Sequence, residues 1–154
     1  MPQRPRNLVR CVALDLASRS IRTLAWLGDA FFEIEVRRRL SIRGDYPTDR
    51  LDAMKAEVVC APCQAQLLAE IESELDDDEA GVVRRGRNTD VGGKARGKVD
   101  VRTHRSATAL EALVAYWLTD DERRARFETL LVPKLEAAID LAVQRRAKKP
   151  RRGR

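Results

Sequence analysis

From Ser20 onward, Ile21, Leu24, Leu27, Gly28, Phe31, Phe32 and Val36 fall at helical spacing, drawing one apolar face along a helix that runs to about Leu40. A face of that length must be buried against other elements, and the rest of the chain supplies helices to cover it. Gly44 and Pro47 break the first helix. Thr48 is placed to N-cap a second that carries Leu51, Met54, Val58 and Val59, and Pro62 opens a third with Leu67, Leu68, Ile71 and Leu75. The acidic run Asp76 to Glu79 separates this from a short helix starting at about Asp78. Helical spacing resumes at about Ser106 with Leu110, Leu113, Val114, Trp117 and Leu118. Thr119-Asp120-Asp121-Glu122 then fits a capping box for a last helical region that Pro133 bends or divides. Alternation of β-branched residues is scarce, with only Val82-Val83 and Val99 to Val101 resembling strand, so the expected fold is all-α.

The chain's 154 residues suit one domain with one core, burying roughly two-thirds of the unfolded surface. No apolar run approaches the roughly 20 residues of a membrane-spanning helix, so no membrane partner is expected. The N-terminus, MPQRPRNLVRC, lacks the apolar stretch of a secretory signal, which makes the cytoplasm the expected location. Cys11, Cys60 and Cys63 are too few and odd in number for a disulfide framework. Cys60-Ala61-Pro62-Cys63 has the spacing of half a zinc site or a redox pair, but no second such pair exists and the single histidine, His104, is far along the chain. The simpler reading is two small apolar side chains beside a helix start.

Net charge is +6, from 30 Lys+Arg against 24 Asp+Glu, and the excess sits at the end: QRRAKKPRRGR, residues 144–154, holds seven basic residues and no acidic one. A domain over 1–143 followed by a disordered basic tail is the expected organisation, the tail serving solubility or loose attraction to polyanions. A second basic segment lies inside the chain. Between Arg84 and Arg105 there are eight Lys/Arg and two Asp, with Gly92, Gly93 and Gly97 among them and no apolar periodicity, which reads as a flexible loop. Such a loop is either simply solvated or follows a phosphate backbone.

Two carboxylates stand out. Turning the first helix by about 100° per residue puts Arg22, Ala25, Asp29 and Glu33 on one stripe beside the apolar face. Asp29, between Gly28 and Ala30, leaves room for a hydrated cation or a phosphate, though it also reads as a boundary carboxylate, and Glu33 can pair with Arg37 one turn on. Glu111 closes Thr108-Ala109-Leu110-Glu111, itself a capping box that would account for it fully. If the two carboxylates meet beside the basic segment, they form the kind of site that metal-assisted phosphodiester hydrolysis uses. Spacing alone leaves that open.

Leu24-Ala25-Trp26-Leu27-Gly28-Asp29-Ala30 resembles the signature helix of the ribonuclease III family, whose L-G-D carries a metal-binding aspartate, and Asp29 falls on it. Ala109-Leu110-Glu111-Ala112-Leu113-Val114 resembles the second acidic motif, F-E-A-L-x-G, whose glutamate binds the same metal, and Glu111 falls on that. Arg84-Arg85-Gly86-Arg87-Asn88 and Asp100-Val101-Arg102-Thr103-His104-Arg105-Ser106 are similar to the R-G-R-N and D-V-Q/R-T-Y-R-x-S-T segments of the Mini-ribonuclease III branch. The likeness covers about residues 16–131, and ordered motifs at compatible spacing are far less common by chance than any one of them.

The resemblance implies a ribonuclease III-like helical bundle that forms a homodimer and cleaves double-stranded RNA with Mg2+. Asp29 and Glu111 would be the catalytic and metal-binding pair; Arg84, Arg85, Arg87, Asn88 and Lys94 would contact RNA; Thr108 and Glu33 would orient ligands. It implies large-subunit precursor ribosomal RNA as substrate, with a ribosomal protein as accessory partner. Larger members have a glutamate where this chain has Ala25 and an aspartate where it has Thr108, and Mini-ribonuclease III is similarly depleted. No double-stranded-RNA-binding domain is expected after Glu122, so the basic loop and tail would hold duplex RNA instead. The competing expectations are a non-catalytic RNA-binding or ribosome-assembly protein on the same scaffold and, more weakly, a helical adaptor with a polyanion-attracting tail.

Overall fold

The computed structural model describes residues 19–89 and 99–147. Their helices are α1 (Ile21–Arg43), α2 (Thr48–Val59), α3 (Ala61–Ile71), α4 (Asp77–Arg87), α5 (Val101–Leu118), a single turn α6 (Arg124–Arg126) and α7 (Val132–Ala147). No strand occurs among the described residues: Val82 and Val83 are buried in α4, and Val101 opens α5. The all-α expectation therefore holds. None of these helices is long and apolar enough to cross a membrane.

Helix α5 is the axis of the bundle. Ala107, Ala109, Leu110, Ala112, Leu113, Val114, Ala115 and Trp117 are all buried on it, which leaves it little solvent face, and α1, α3 and α4 pack around it. Alanines at 107, 109, 112 and 115 let neighbouring helices come close, while Trp117 fills the far end edge-on to Phe127, with ring centroids 6.3 Å apart. Helix α7 packs on α2 and α1 and is tied to them by ion pairs. Arg39 Nε donates to Glu136 at 2.9 Å, Arg43 Nε to Asp140 at 2.9 Å, and Arg146 Nε to Glu57 at 2.6 Å.

Several helix ends differ from the sequence expectation, each for a local reason. Helix α5 starts at Val101, not near Ser106, because Asp100 caps it by accepting the Thr103 N–H at 2.7 Å. Its first turns carry few apolar residues, so the periodicity missed them. Thr108 and Glu111 are consequently inside the helix, the capping-box reading of Glu111 is incorrect, and the Thr108 hydroxyl donates to the His104 carbonyl at 3.0 Å. Helix α2 is capped at Pro47 without a side-chain bond, leaving Thr48 as its first residue.

The acidic run does not separate helices but builds one: Asp76 caps α4 in a reciprocal box with Glu79. Thr119 closes α5 by donating to the Ala115 carbonyl instead of opening the next helix, which resumes at Arg124. The division expected at Pro133 appears as a π-helical turn over Phe127–Leu131 just before it, where proline's missing N–H disturbs the regular ladder. Residues 144–147 of the basic tail are helical in α7. Lys94, Cys11 and residues 148–154 lie outside the described residues.

Candidate active site at the crossing of α1 and α5

Gly28 sets the geometry of the crossing. A methyl group built on its Cα would lie 1.7 Å from the Glu111 carbonyl oxygen, 2.5 Å from that carbonyl carbon and 3.2 Å from the Glu111 Cα. Only a residue without a Cβ fits, so α1 and α5 meet backbone to backbone at this point. Asp29 follows Gly28 directly, and Glu111 is the residue the glycine touches. The backbones that carry the two candidate carboxylates are thus close where the helices cross. Asp29 is exposed and makes no hydrogen bond or ion pair among the described residues, whereas Glu111 is half-buried and has an interaction of its own. Ala25, one turn before Asp29, is buried against the core.

The other members of the α1 stripe behave differently. Glu33 takes the ion-pair alternative: it accepts from Arg37 Nη2 at 2.6 Å and Nε at 2.9 Å, and from Lys55 Nζ at 3.1 Å. These bonds, the Arg37 one foremost, hold its carboxyl below the usual range. A ligand-orienting role for Glu33 would have to compete with two cations that already occupy it. Thr108 stands one turn before Glu111, with its proton committed to the His104 carbonyl.

A second glycine fixes the basic segment. Gly86 lies inside α4, where a methyl would come within 2.6 Å of the Ala109 Cα. The sequence reading placed Arg84 to Asn88 at the head of a flexible loop; the structure instead presses this stretch, as helix, against α5 two residues before Glu111. Asn88 is the C-cap of α4. Arg84 and Arg85 are exposed and form no ion pair among the described residues. Arg87 is held by Glu72 through two contacts, one of them Nη2 to Oε2 at 2.9 Å. An open cavity of about 880 Å³ is lined by Arg87 and Asn88 at the end of α4, Arg102 and Arg105 of α5, and Ala69 and Glu72 at the end of α3, so one carboxylate faces it beside three arginines. Arg102 and Arg105 were not singled out among the RNA-contact candidates, although their place in the basic segment was the available signal.

The carboxylate that sequence reasoning missed altogether is structural. Glu79 is 1% exposed and accepts from Trp117 Nε1 at 2.9 Å, Arg126 Nε at 2.8 Å, Arg126 Nη2 at 2.7 Å and the Asp76 N–H at 2.9 Å. Burial alone would raise its pKa, but the bonds from Arg126, Trp117 and the Asp76 amide outweigh it and hold the carboxyl at about 2. Among the described residues no group of three or more His, Cys, Asp or Glu is arranged as a metal site.

The ribonuclease III domain model matches residues 22–122, from the start of α1 past the end of α5. A Mini-ribonuclease 3 of Desulfitobacterium hafniense is 44% identical over 95 residues, which is 62% of this chain and 59% of that protein. A Mini-ribonuclease 3 of Gloeobacter violaceus is 37% identical over 114 residues, 72% of this chain and 80% of that one. A solved structure of a Fusobacterium nucleatum protein matches with a TM-score of 0.63 at 23% identity, covering 84% of this chain and 92% of that chain, and supports the fold. The chain therefore belongs to the ribonuclease III family of endoribonucleases, among the relatives that bear the name Mini-ribonuclease 3.

Proposed function

We propose that this protein is a magnesium-dependent endoribonuclease that cleaves double-stranded RNA, with Asp29 and Glu111 as its catalytic pair. The observation that supports this reading is the close approach of Gly28 to the Glu111 backbone, which brings together the two helices that carry the motif carboxylates. The donor chemistry fits Mg2+: these are hard oxygen ligands, Asp29 is exposed and unpaired among the described residues, and magnesium keeps several waters when only one or two carboxylates hold it. Bound there by Asp29 and Glu111, the ion would neutralise charge developing at the scissile phosphate and lower the pKa of an attacking water. Arg84 and Arg85, exposed on α4, would hold flanking phosphates, with Arg87, Asn88 and Lys94 as the further proposed RNA contacts. Hydrolysis leaves 5′-phosphate and 3′-hydroxyl ends.

The working unit is a homodimer that cuts each strand once. Supporting it, Trp26 is 78% and Ile34 58% exposed on α1, the helix that carries Asp29, and both are apolar side chains a partner would cover. An isologous pairing doubles the basic surface facing one duplex. The substrate in the cell is the paired end segments of large-subunit ribosomal RNA precursor in the cytoplasm, with a ribosomal protein shaping it. The test is cleavage of a long duplex RNA and of single-stranded RNA of the same sequence, with magnesium and with chelator. Cutting of the duplex only, and only with magnesium, is the expected result. Salt-sensitive duplex binding with no cleavage in either condition would replace this reading with the non-catalytic RNA-binding scaffold.

A further inference from the structure

The Cys60-Ala61-Pro62-Cys63 segment plays no part in the site above, yet the fold gives its two thiols different and complementary settings. Cys60 is the joint between helices, the C-cap of α2 and the N-cap of α3, with extended backbone angles (φ −68°, ψ 152°). It is exposed, and its Sγ donates to the Glu57 carbonyl at 3.3 Å. Pro62 stands in the first turn of α3, where its fixed φ suits the helix start. Cys63, one turn past Cys60, is half-buried and packs against the core. Both thiols are free and both line one surface cavity of about 400 Å³ between α3 and α7, open to a small molecule.

We propose that Cys60 and Cys63 form a reversible dithiol–disulfide site that exchanges with low-molecular-weight disulfides. In the first step the Cys60 thiolate attacks one sulfur of R–S–S–R, forming a Cys60–S–S–R bond and expelling RS⁻, which takes up a proton. In the second, the Cys63 thiol gives up its proton and attacks the Cys60 sulfur, forming the Cys60–Cys63 bond and expelling the second RS⁻, which is also protonated. The protein dithiol is oxidised by two electrons and R–S–S–R is reduced to two R–SH.

The division of labour follows from exposure. Burial first, then the neighbouring Cys60 and Glu70 charges, push the Cys63 thiol up to about 11, so it is a poor nucleophile toward free reagents. Side chains three residues apart on a helix have Cβ atoms about 5–6 Å apart, and a disulfide needs about 3.5–4.5 Å, so closure asks for a small adjustment at the helix joint. Once Cys60 carries R–S, Cys63 attacks within the same molecule, where proximity offsets its low thiolate fraction. The described residues supply no third ligand that would make the pair a metal site.

The test uses the full chain with Cys11→Ser, leaving only this pair, treated with glutathione disulfide, then acid-quenched, alkylated and weighed by mass spectrometry. The pair should lose two hydrogens and retain no glutathione. With Cys63→Ser added, one glutathione should stay on Cys60. With Cys60→Ser instead, Cys63 should react roughly tenfold or more slowly than Cys60 does. Circular dichroism confirms that each variant is folded. The proposal is overturned if glutathione remains on Cys60 as stably with Cys63 present as without it, or if neither thiol reacts in the folded protein while both react in urea.

Discussion

Two carboxylates on helices packed against α5 are built in opposite ways. Glu79 on α4 is sealed from water and accepts four hydrogen bonds, from a tryptophan, an arginine and a backbone amide. Asp29 on α1 is exposed and takes none among the described residues, although the backbone beside it is pressed onto α5 more tightly than a methyl group would allow. A carboxylate with every lone pair committed has nothing left to offer a ligand and serves stability. One held in place by its backbone while its oxygens stay open is free to receive a cation or to face a phosphate. Rigidity beside Asp29 comes from glycine packing and at Glu79 from hydrogen bonds, and that difference separates a carboxylate still open to a ligand from one fully committed to the fold.

The comparison breaks most severely at Gly28. Alanine there gains about 1 kcal/mol of helix propensity, but its Cβ would sit 1.7 Å from the Glu111 carbonyl oxygen, so the helices must part. Gly28→Ala should lose about 2–3 kcal/mol of stability net and at least roughly 10²-fold in duplex cleavage. Thermal melts alongside cleavage by the fraction still folded separate the two losses. Glu79→Ala strands the Trp117 N–H and the Arg126 guanidinium and should cost about 3 kcal/mol in denaturant unfolding. Cleavage per folded molecule should stay within a few-fold of wild type.

Acid provides a sharper view of the same contrast. The Glu79 carboxyl is depressed from 4.5 to about 2, so its contribution is complete above pH 4.5 and is lost as pH falls toward 2. Taken over that window the shift corresponds to about 3 kcal/mol, and the stability gap between wild type and Glu79→Gln should narrow across it. The smallest effect belongs to Glu33, whose partners Arg37 and Lys55 are surface cations. Glu33→Gln should change stability by about 0.5 kcal/mol and leave duplex cleavage nearly unchanged, whereas a large loss of cleavage would give Glu33 the ligand-orienting role after all.

Much of this was legible in the sequence. The α1 periodicity, the breaks at Gly44 and Pro47 and the apolar run of α5 specify the bundle through local pattern. The helix starts were harder. The Asp100 cap sits ahead of a turn almost without apolar residues, and Asp76 with Glu79 resembles any acidic linker until Trp117 and Arg126 are seen to converge on it. For the candidate site, the motif residues were visible but the close crossing of their helices was not. Gly28 and Gly86 read as a small residue on an apolar face and as a loop glycine, because what excludes a Cβ there is the backbone of a residue more than twenty positions away. Such long-range contacts leave no periodic trace.

The central claim is that the exposed carboxylate of Asp29 acts in chemistry and not in folding. It is tested by magnesium-dependent cleavage of duplex RNA by wild type and Asp29→Asn, at matched duplex binding and with melting temperatures recorded. The account predicts a melting temperature within a degree or two of wild type and a cleavage rate lower by roughly 10³-fold or more, the scale of several kcal/mol of lost transition-state stabilisation. Cleavage by Asp29→Asn at a near wild-type rate would contradict it.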